Sequence, residues 1–175
     1  MEGYLDYKNN SKGYIYAKLY DSLVEGKQAL EMIQKGLLQN ASLKAFLGVK
    51  SAVSALVVKN LNEIIKLKDE KEKYWHENVG YSAPTTGLIG ISKDLKNLGI
   101  DAENVIRIAL TLHKFSYNGF DPNFVDYRNS KEVIDDVKEV IEWLLNLKYY
   151  FDDFWDEKLE KAKKDLEELL KNTIN

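Results

Sequence analysis

The chain has 175 residues, 30% of them charged and 45% hydrophobic, with a formal net charge of -3 at pH 7. That length can bury a core without covalent or metal staples. The absence of cysteine excludes disulfides, thiolate-bound clusters and cysteine nucleophiles, and two histidines, His76 and His113, are too few for a three-His zinc site within one chain. The charge balance speaks against nucleic acid coating the whole surface and leaves room for a local basic groove. The opening Met1-Glu2-Gly3-Tyr4-Leu5-Asp6 shows no basic-then-apolar leader, and no run of about 18 apolar residues stands out. These features predict a soluble, cytoplasmic protein that does not engage a membrane.

Only Pro84 and Pro122 interrupt the chain as prolines, which favours helices. Tyr16, Leu19, Leu23, Leu30, Ile33 and Leu37 recur at helical spacing and predict an amphipathic helix over residues 6–35, stopped by Gly36. Asn40 is expected to cap a second helix carrying Leu43, Phe46, Val49, Val53, Leu56, Leu61 and Ile65. Its stretch 46–58 is apolar nearly all round and rich in small residues (Gly48, Ser51, Ala52, Ser54, Ala55), as suits the centre of a bundle. The charged run Lys66–Lys73 is expected in solvent, and Asn78–Pro84 reads as a loop. A short helix follows from Leu88 to Leu98, closed by Gly99. Asp101 is then expected to cap a fourth helix with Glu103 in its first turn and Val105, Ile106, Ala109, Leu110, Leu112 and Phe115 buried.

Ser116 to Asn129 is irregular and aromatic. From Ser130 to Asn172 no breaker occurs, which predicts one long C-terminal helix or two separated near residues 146–153. The Lys- and Glu-dense end, Asp156–Lys171, looks like an exposed extension; Leu159, Ala162, Leu166 and Leu169 give it heptad-like spacing that suits either a partner helix or a solvated face. No strand alternation is found. The expected fold is therefore an all-α up-and-down helical bundle over residues 1–148, with residues 149–175 as a helical extension of the same domain. Its core should include Leu19, Leu23, Leu30, Phe46, Val49, Val53, Leu56, Leu88, Leu95, Ile106, Leu110, Val137, Ile141 and Leu144.

Three segments resemble one family. Gly36-Leu-Leu-Gln-Asn-Ala-Ser-Leu-Lys44, followed by Phe46, Gly48, Ala52, Ala55 and Leu56, is similar to the start of the alanine-rich second helix of archaeal PaREP proteins. Thr85-Thr86-Gly87-Leu88 through Leu95 and Leu98-Gly99 resembles their short third helix, and Ala109–Phe115 with Tyr117 resembles their "Ala-x-x-Leu-His-x-x-Phe-Tyr" stretch. A final acidic helix containing Ile141-Glu-Trp-Leu-Leu145 completes the likeness, which spans roughly residues 14–147. Two positions depart from the pattern: Gly87 stands where a histidine usually follows the threonine, and Ser54 where a lysine is frequent. PaREP proteins fall in the HEPN class of helical domains. The resemblance implies a HEPN-like bundle, a homodimer, and a non-catalytic binding module that serves a nucleotide or a nucleotidyltransferase partner.

The alternative that the resemblance offers is an enzyme. Catalytic HEPN proteins are metal-independent ribonucleases with an Arg, four to six residues, then a His, and Arg107 and His113 fit that spacing with five residues between. An imidazole could take the 2′-hydroxyl proton and a guanidinium could stabilise charge on the phosphate, with RNA as substrate. Six positions on a regular helix, however, leave the two side chains ~120° apart, and Ile108 stands where the active pattern tends to be polar. The binding reading places a groove between the fourth helix and the following loop, lined by Tyr117, Asn118, Phe120, Tyr127 and Arg128.

Glu72 and His76, one helical turn apart, would supply half a metal site; a solvated helix end with Trp75 partly packed is the preferred reading, and no metal or other cofactor is expected. Tyr4, Tyr7, Tyr14, Tyr16 and Tyr20 near the start, and Tyr149, Tyr150, Phe151, Phe154 and Trp155 near the end, could stack bases. The preferred reading is that they pack the terminal helices together or against a second copy.

Overall fold

A computed structural model describes residues 6–173, and among these every regular element is helical. The fold is all-α. Helix α1 spans Ser11–Gln34 and begins five residues later than its apolar spacing predicts. The reason is local: the Asp6 carbonyl accepts from the amides of Asn9 and Asn10, the Asp6 carboxylate accepts from the Lys8 amide, and the tight turn this makes leaves Asn10 to cap the helix through Gly13 N (2.9 Å). Gly36, at φ +72°, ends α1 as expected.

Helix α2 spans Leu38–Lys59, and Leu37 rather than Asn40 occupies its cap position; Asn40 lies exposed inside the first turn. α2 is the hub, touching α1, α6 and α7. Ala41, Ala45, Gly48, Ala52 and Ala55 are buried along it. A Cβ on Gly48 would come within 3.3 Å of the Ser22 carbonyl, so the small side chain sets how closely α1 and α2 approach. By length and composition α2 could cross a membrane, but 72% of its most apolar window is buried inside the bundle.

α2 does not continue to Ile65. Asn60 folds back onto the Leu56 carbonyl (2.8 Å), a short helix α3 (Leu61–Ile65) follows, and Asp69 then caps a separate helix α4 (Glu70–Asn78) through Glu72 N. Two 3₁₀ turns, 80–82 and 85–87, lead into α5 (Leu88–Asn97). Gly99 stops α5, and α6 spans Glu103–Asn118 with Ala102 at its cap position. Asp101 makes no side-chain cap; its carbonyl accepts instead from Trp143 Nε1 at 3.1 Å. α7 spans Ser130–Leu145, capped by Asn129, and α8 spans Glu157–Thr173.

The stretch after Ser130 is thus two helices, separated by 3₁₀ turns at 147–150 and 152–154, and not one long C-terminal helix. Its charged end is not an exposed extension either. Leu159, Leu166 and Leu170 are buried, and α8 lies along α1 with Tyr16 bonded to Asp156 (2.8 Å) near one end and Gln34 to Thr173 near the other. The lysines and glutamates of α8 fill the face left in solvent, which is why the segment looks exposed by composition alone.

The cross-helix contacts define the topology. Glu25 faces Lys44 and Tyr14 faces Ser54, so α1 and α2 are antiparallel; Gln39 reaches Ser116 and Phe46 stacks on His113, so α2 and α6 are antiparallel. Asn104 reaches Glu139 and Tyr127 meets Phe115, so α7 descends beside α6, and α8 runs parallel to α1. The long helices therefore alternate up and down. The expected core is buried except Leu110, which is half-buried. It lies ~40° beyond Ile106 round α6, at the edge of the inward face made by Ile106, Ala109 and Leu112.

The early and late aromatics pack mainly within the chain. Phe151 is fully buried, and Lys158 Nζ sits 4.3 Å from the centre of the Tyr20 ring, whereas Tyr149 is 85% exposed. Tyr4 lies outside the described residues.

Candidate functional site

Helix α6 carries most of the sequence-predicted site. Its inward stripe fixes the rotation of the helix, and that rotation turns Arg107 to solvent. Arg107 Nη2 bonds Glu103 Oε1 at 3.1 Å, and Lys96 holds the other oxygen of Glu103 at 3.1 Å. The Arg107 and Lys96 bonds hold the Glu103 carboxyl below its usual range. Both sequence-predicted catalytic residues lie within this regular helix, six positions apart, which leaves them on different faces and ~9 Å apart along the axis.

His113 faces α2. Its ring stacks on Phe46 with 4.0 Å between centres and 20° between planes, and Tyr117 closes on it edge-to-face at 5.1 Å. The ring is half-buried, and its Nδ1 is shielded from solvent with no hydrogen-bond partner. Burial, and then the nearby Lys50 ammonium, lower its pKa below 6.5.

The predicted groove residues fall into separate pairings. Tyr117, 73% exposed, belongs to the His113 cluster, and Asn118 bonds the Lys114 carbonyl in the last turn of α6. Phe120 and Tyr127 are brought together by Phe115, whose buried ring meets theirs edge-to-face at 4.9 and 5.7 Å. Tyr127 donates to Asp136 on α7, and burial raises the pKa of both groups. Arg128 is tied to Glu132 through its amide (2.8 Å) and its guanidinium (2.6 and 2.9 Å), at the capped start of α7. Tyr127 and Arg128 thus fasten the far end of the loop, and the exposed aromatic surface is Tyr117, Phe120 and Phe124, the last 63% exposed.

A second corner, where α4 meets α5, departs from the sequence reading. His76 is 3% exposed, with Nδ1 2.8 Å from the Glu72 carbonyl and Nε2 3.0 Å from Asp94 Oδ2. Lys68 takes the other Asp94 oxygen at 2.6 Å, and that bond raises its pKa. The solvated helix end is therefore a buried latch. Glu72 meets His76 through its main chain while its carboxylate lies near Lys68 (3.8 Å), so the pair does not present two metal ligands to one point. Among the described residues no group of His, Asp and Glu gathers in the number a metal ion needs. The signal for this latch was faint: Asp94 is 18 residues from His76 and sits in a helix read only for its apolar face. Beside it, Trp75 fills the space over Gly80 and Gly87, where an added Cβ would fall 2.6 and 2.7 Å from the ring.

The model of the archaeal PaREP1/PaREP8 family matches residues 17–138, well over half of the chain. The chain belongs to this family. The match runs from α1 to α7 and contains both histidines, the aromatic loop and the α4–α5 corner, and it leaves α8 outside. No curated protein and no solved structure matches the chain. Of the two departures noted in the PaREP pattern, Ser54 has a clear local role. It is buried, meets the Tyr14 hydroxyl at 2.7 Å and donates to the Tyr81 carbonyl at 2.7 Å, tying α1, α2 and the 80–82 turn together.

Proposed function

We propose that this PaREP protein is a non-catalytic binding module that engages its partner through the end of α6 and the loop after it. The observation that carries the reading is an exposed trio, Tyr117 at the end of α6 with Phe120 and Phe124 on the following loop, whose far end is anchored by Tyr127–Asp136 and Arg128–Glu132. Large aromatics left in solvent on a rigid support contribute contact area at little entropic cost, which is how interface anchors act. The position of Arg107, engaged by Glu103 and on another face from His113, supports binding over the ribonuclease alternative, which needs both groups at one phosphate.

The HEPN-like resemblance extends this reading to a nucleotidyltransferase or a nucleotide as the thing bound, and to a homodimer in the cytoplasm as the working form. The test is co-purification of the tagged full-length chain from its source. A bound nucleotidyltransferase whose capture fails with Tyr117→Ser and Phe124→Ser supports the module. Chelator-resistant cleavage of RNA that His113→Ala abolishes would overturn it in favour of the enzyme.

A further inference from the structure

Lys18 and Lys50 face each other across the α1–α2 seam. The antiparallel register brings them there: Glu25 lies opposite Lys44 (3.1 Å), Ser22 opposite Gly48, and Tyr14 opposite Ser54 (2.7 Å), so Lys18 falls level with Lys50. Both are half-buried. Each ammonium lies near a ring and not a carboxylate: Lys18 Nζ is 5.6 Å from the centre of Tyr14, and Lys50 Nζ is 5.9 Å from that of Phe46. Among the described residues neither forms an ion pair or a side-chain hydrogen bond, whereas Lys44, nearly two turns earlier on the same helix, has Glu25. The same Phe46 ring carries His113, with its shielded and unpartnered Nδ1.

Three basic groups on three helices therefore neighbour one another in turn, Lys18 beside Lys50 and Lys50 beside His113 at the Phe46 ring, and none of them is ion-paired among the described residues. The electrostatics register the crowding. Burial and Lys18 lower the Lys50 pKa, and burial and Lys50 lower that of His113. Half-buried like charges raise each other's cost, and a small anion seated between them would offset both the repulsion and the lost hydration. A tetrahedral dianion suits the donors best, since two ammonium groups and an imidazole offer several N–H bonds from different directions, more than one carboxylate can use. The exposed ring of Tyr117, 5.1 Å from His113, offers an aromatic face beside that position.

We infer that Lys18, Lys50 and His113 form a binding site for a phosphate dianion, either free or carried by a nucleoside monophosphate. The inference rests on the binding-module reading and names a ligand chemistry for it. The test is an NMR and calorimetric titration of the full chain at pH 7 with inorganic phosphate and, separately, with adenosine 5′-monophosphate. Saturable binding is expected, with the His113 ring resonances shifting toward the protonated form. Lys18→Gln and Lys50→Gln should each weaken binding about tenfold, the effect of one charge-assisted contact. Lys27→Gln, an exposed lysine on the same α1, should leave it unchanged.

If the mononucleotide binds more tightly than phosphate, and Tyr117→Ser removes that gain, the phosphate comes with a base; equal affinities point to the free anion. Both outcomes support the site. The inference is overturned if His113 shows no saturable shift, or if the Lys18 and Lys50 variants bind as Lys27→Gln does. Circular dichroism keeps a null result interpretable, since removing one of two mutually repelling lysines should not unfold the bundle. Loss of phosphate binding with partner capture intact would remove this site alone, and phosphate binding with no partner would remove the partner half of the broader reading.

Discussion

The two histidines of this chain occupy opposite situations. His76 sits in a corner where everything is answered: both ring nitrogens face oxygens, its carboxylate partner is shared with Lys68, and Trp75 and two glycines fill the space beside it. His113 has a ring on each side, a lysine for a neighbour and a shielded nitrogen with nothing to bond. A satisfied buried histidine fastens elements together, because every polar atom removed from water has been given a partner within the chain. An unsatisfied one beside other bases carries an electrostatic cost, and such costs concentrate where a ligand or partner completes the arrangement. Residue type alone does not mark a site; the state of its hydrogen bonds does.

The largest effect is expected from unfastening the corner of His76. Asp94→Ala leaves Lys68 and His76 facing each other without their shared carboxylate and should destabilise the fold by about 3 kcal/mol, the cost of breaking a buried charge pair from one side. Urea unfolding would show it as a lower midpoint with an unchanged slope. If stability were unchanged, the corner would not be the fastening described here. Gly80→Ala should follow at about 2 kcal/mol, because its Cβ would fall 2.6 Å from the Trp75 ring and the indole would have to shift. Loss of near-ultraviolet ellipticity together with a lower thermal midpoint would register that shift.

His113 predicts a pH effect of definite sign. Its folded pKa lies below the reference value of 6.5, so the unfolded chain takes up the proton first. The stability tied to this residue is therefore fully present above 6.5 and is lost as pH falls through the folded value. Lys50→Gln should raise the folded pKa by removing a neighbouring positive charge, and a proton NMR titration of the His113 ring reads this directly. A His113 pKa at or above 6.5 in the wild-type chain would contradict the environment described. The smallest effect is expected at Arg107. Its ion pair with Glu103 is largely in solvent, so Arg107→Ala should leave the midpoint of urea unfolding where the wild-type chain has it.

How much of this was legible before the tertiary structure differs between the two regions. Around α6 the apolar positions predicted the helix and its buried face, and hence that Arg107 and His113 would diverge; the family resemblance pointed to the same stretch, and the family match contains it. The stacking of His113 on Phe46 was not legible, since 67 residues separate them and no local pattern ties the two positions. Around α4 the charged run read as solvent-exposed because most of its side chains are charged, and the few that turn inward, His76 and part of Lys68, are the ones that composition cannot single out. The groove residues show a third case. Tyr127 and Arg128 looked like ligand contacts by type and became anchors once α7 placed Asp136 and Glu132 within reach.

By itself the sequence determined the helical class, the central place of the small-residue helix, nearly all of the core and the family, because a 3.6-residue repeat and its breakers act between neighbours in the chain. The tertiary structure alone decided that α4 is latched onto α5, that α8 closes against α1, and that Lys50 and His113 meet at the Phe46 ring. Each of these depends on which faces of distant helices meet, and a helix carries no local record of the partner its face will find.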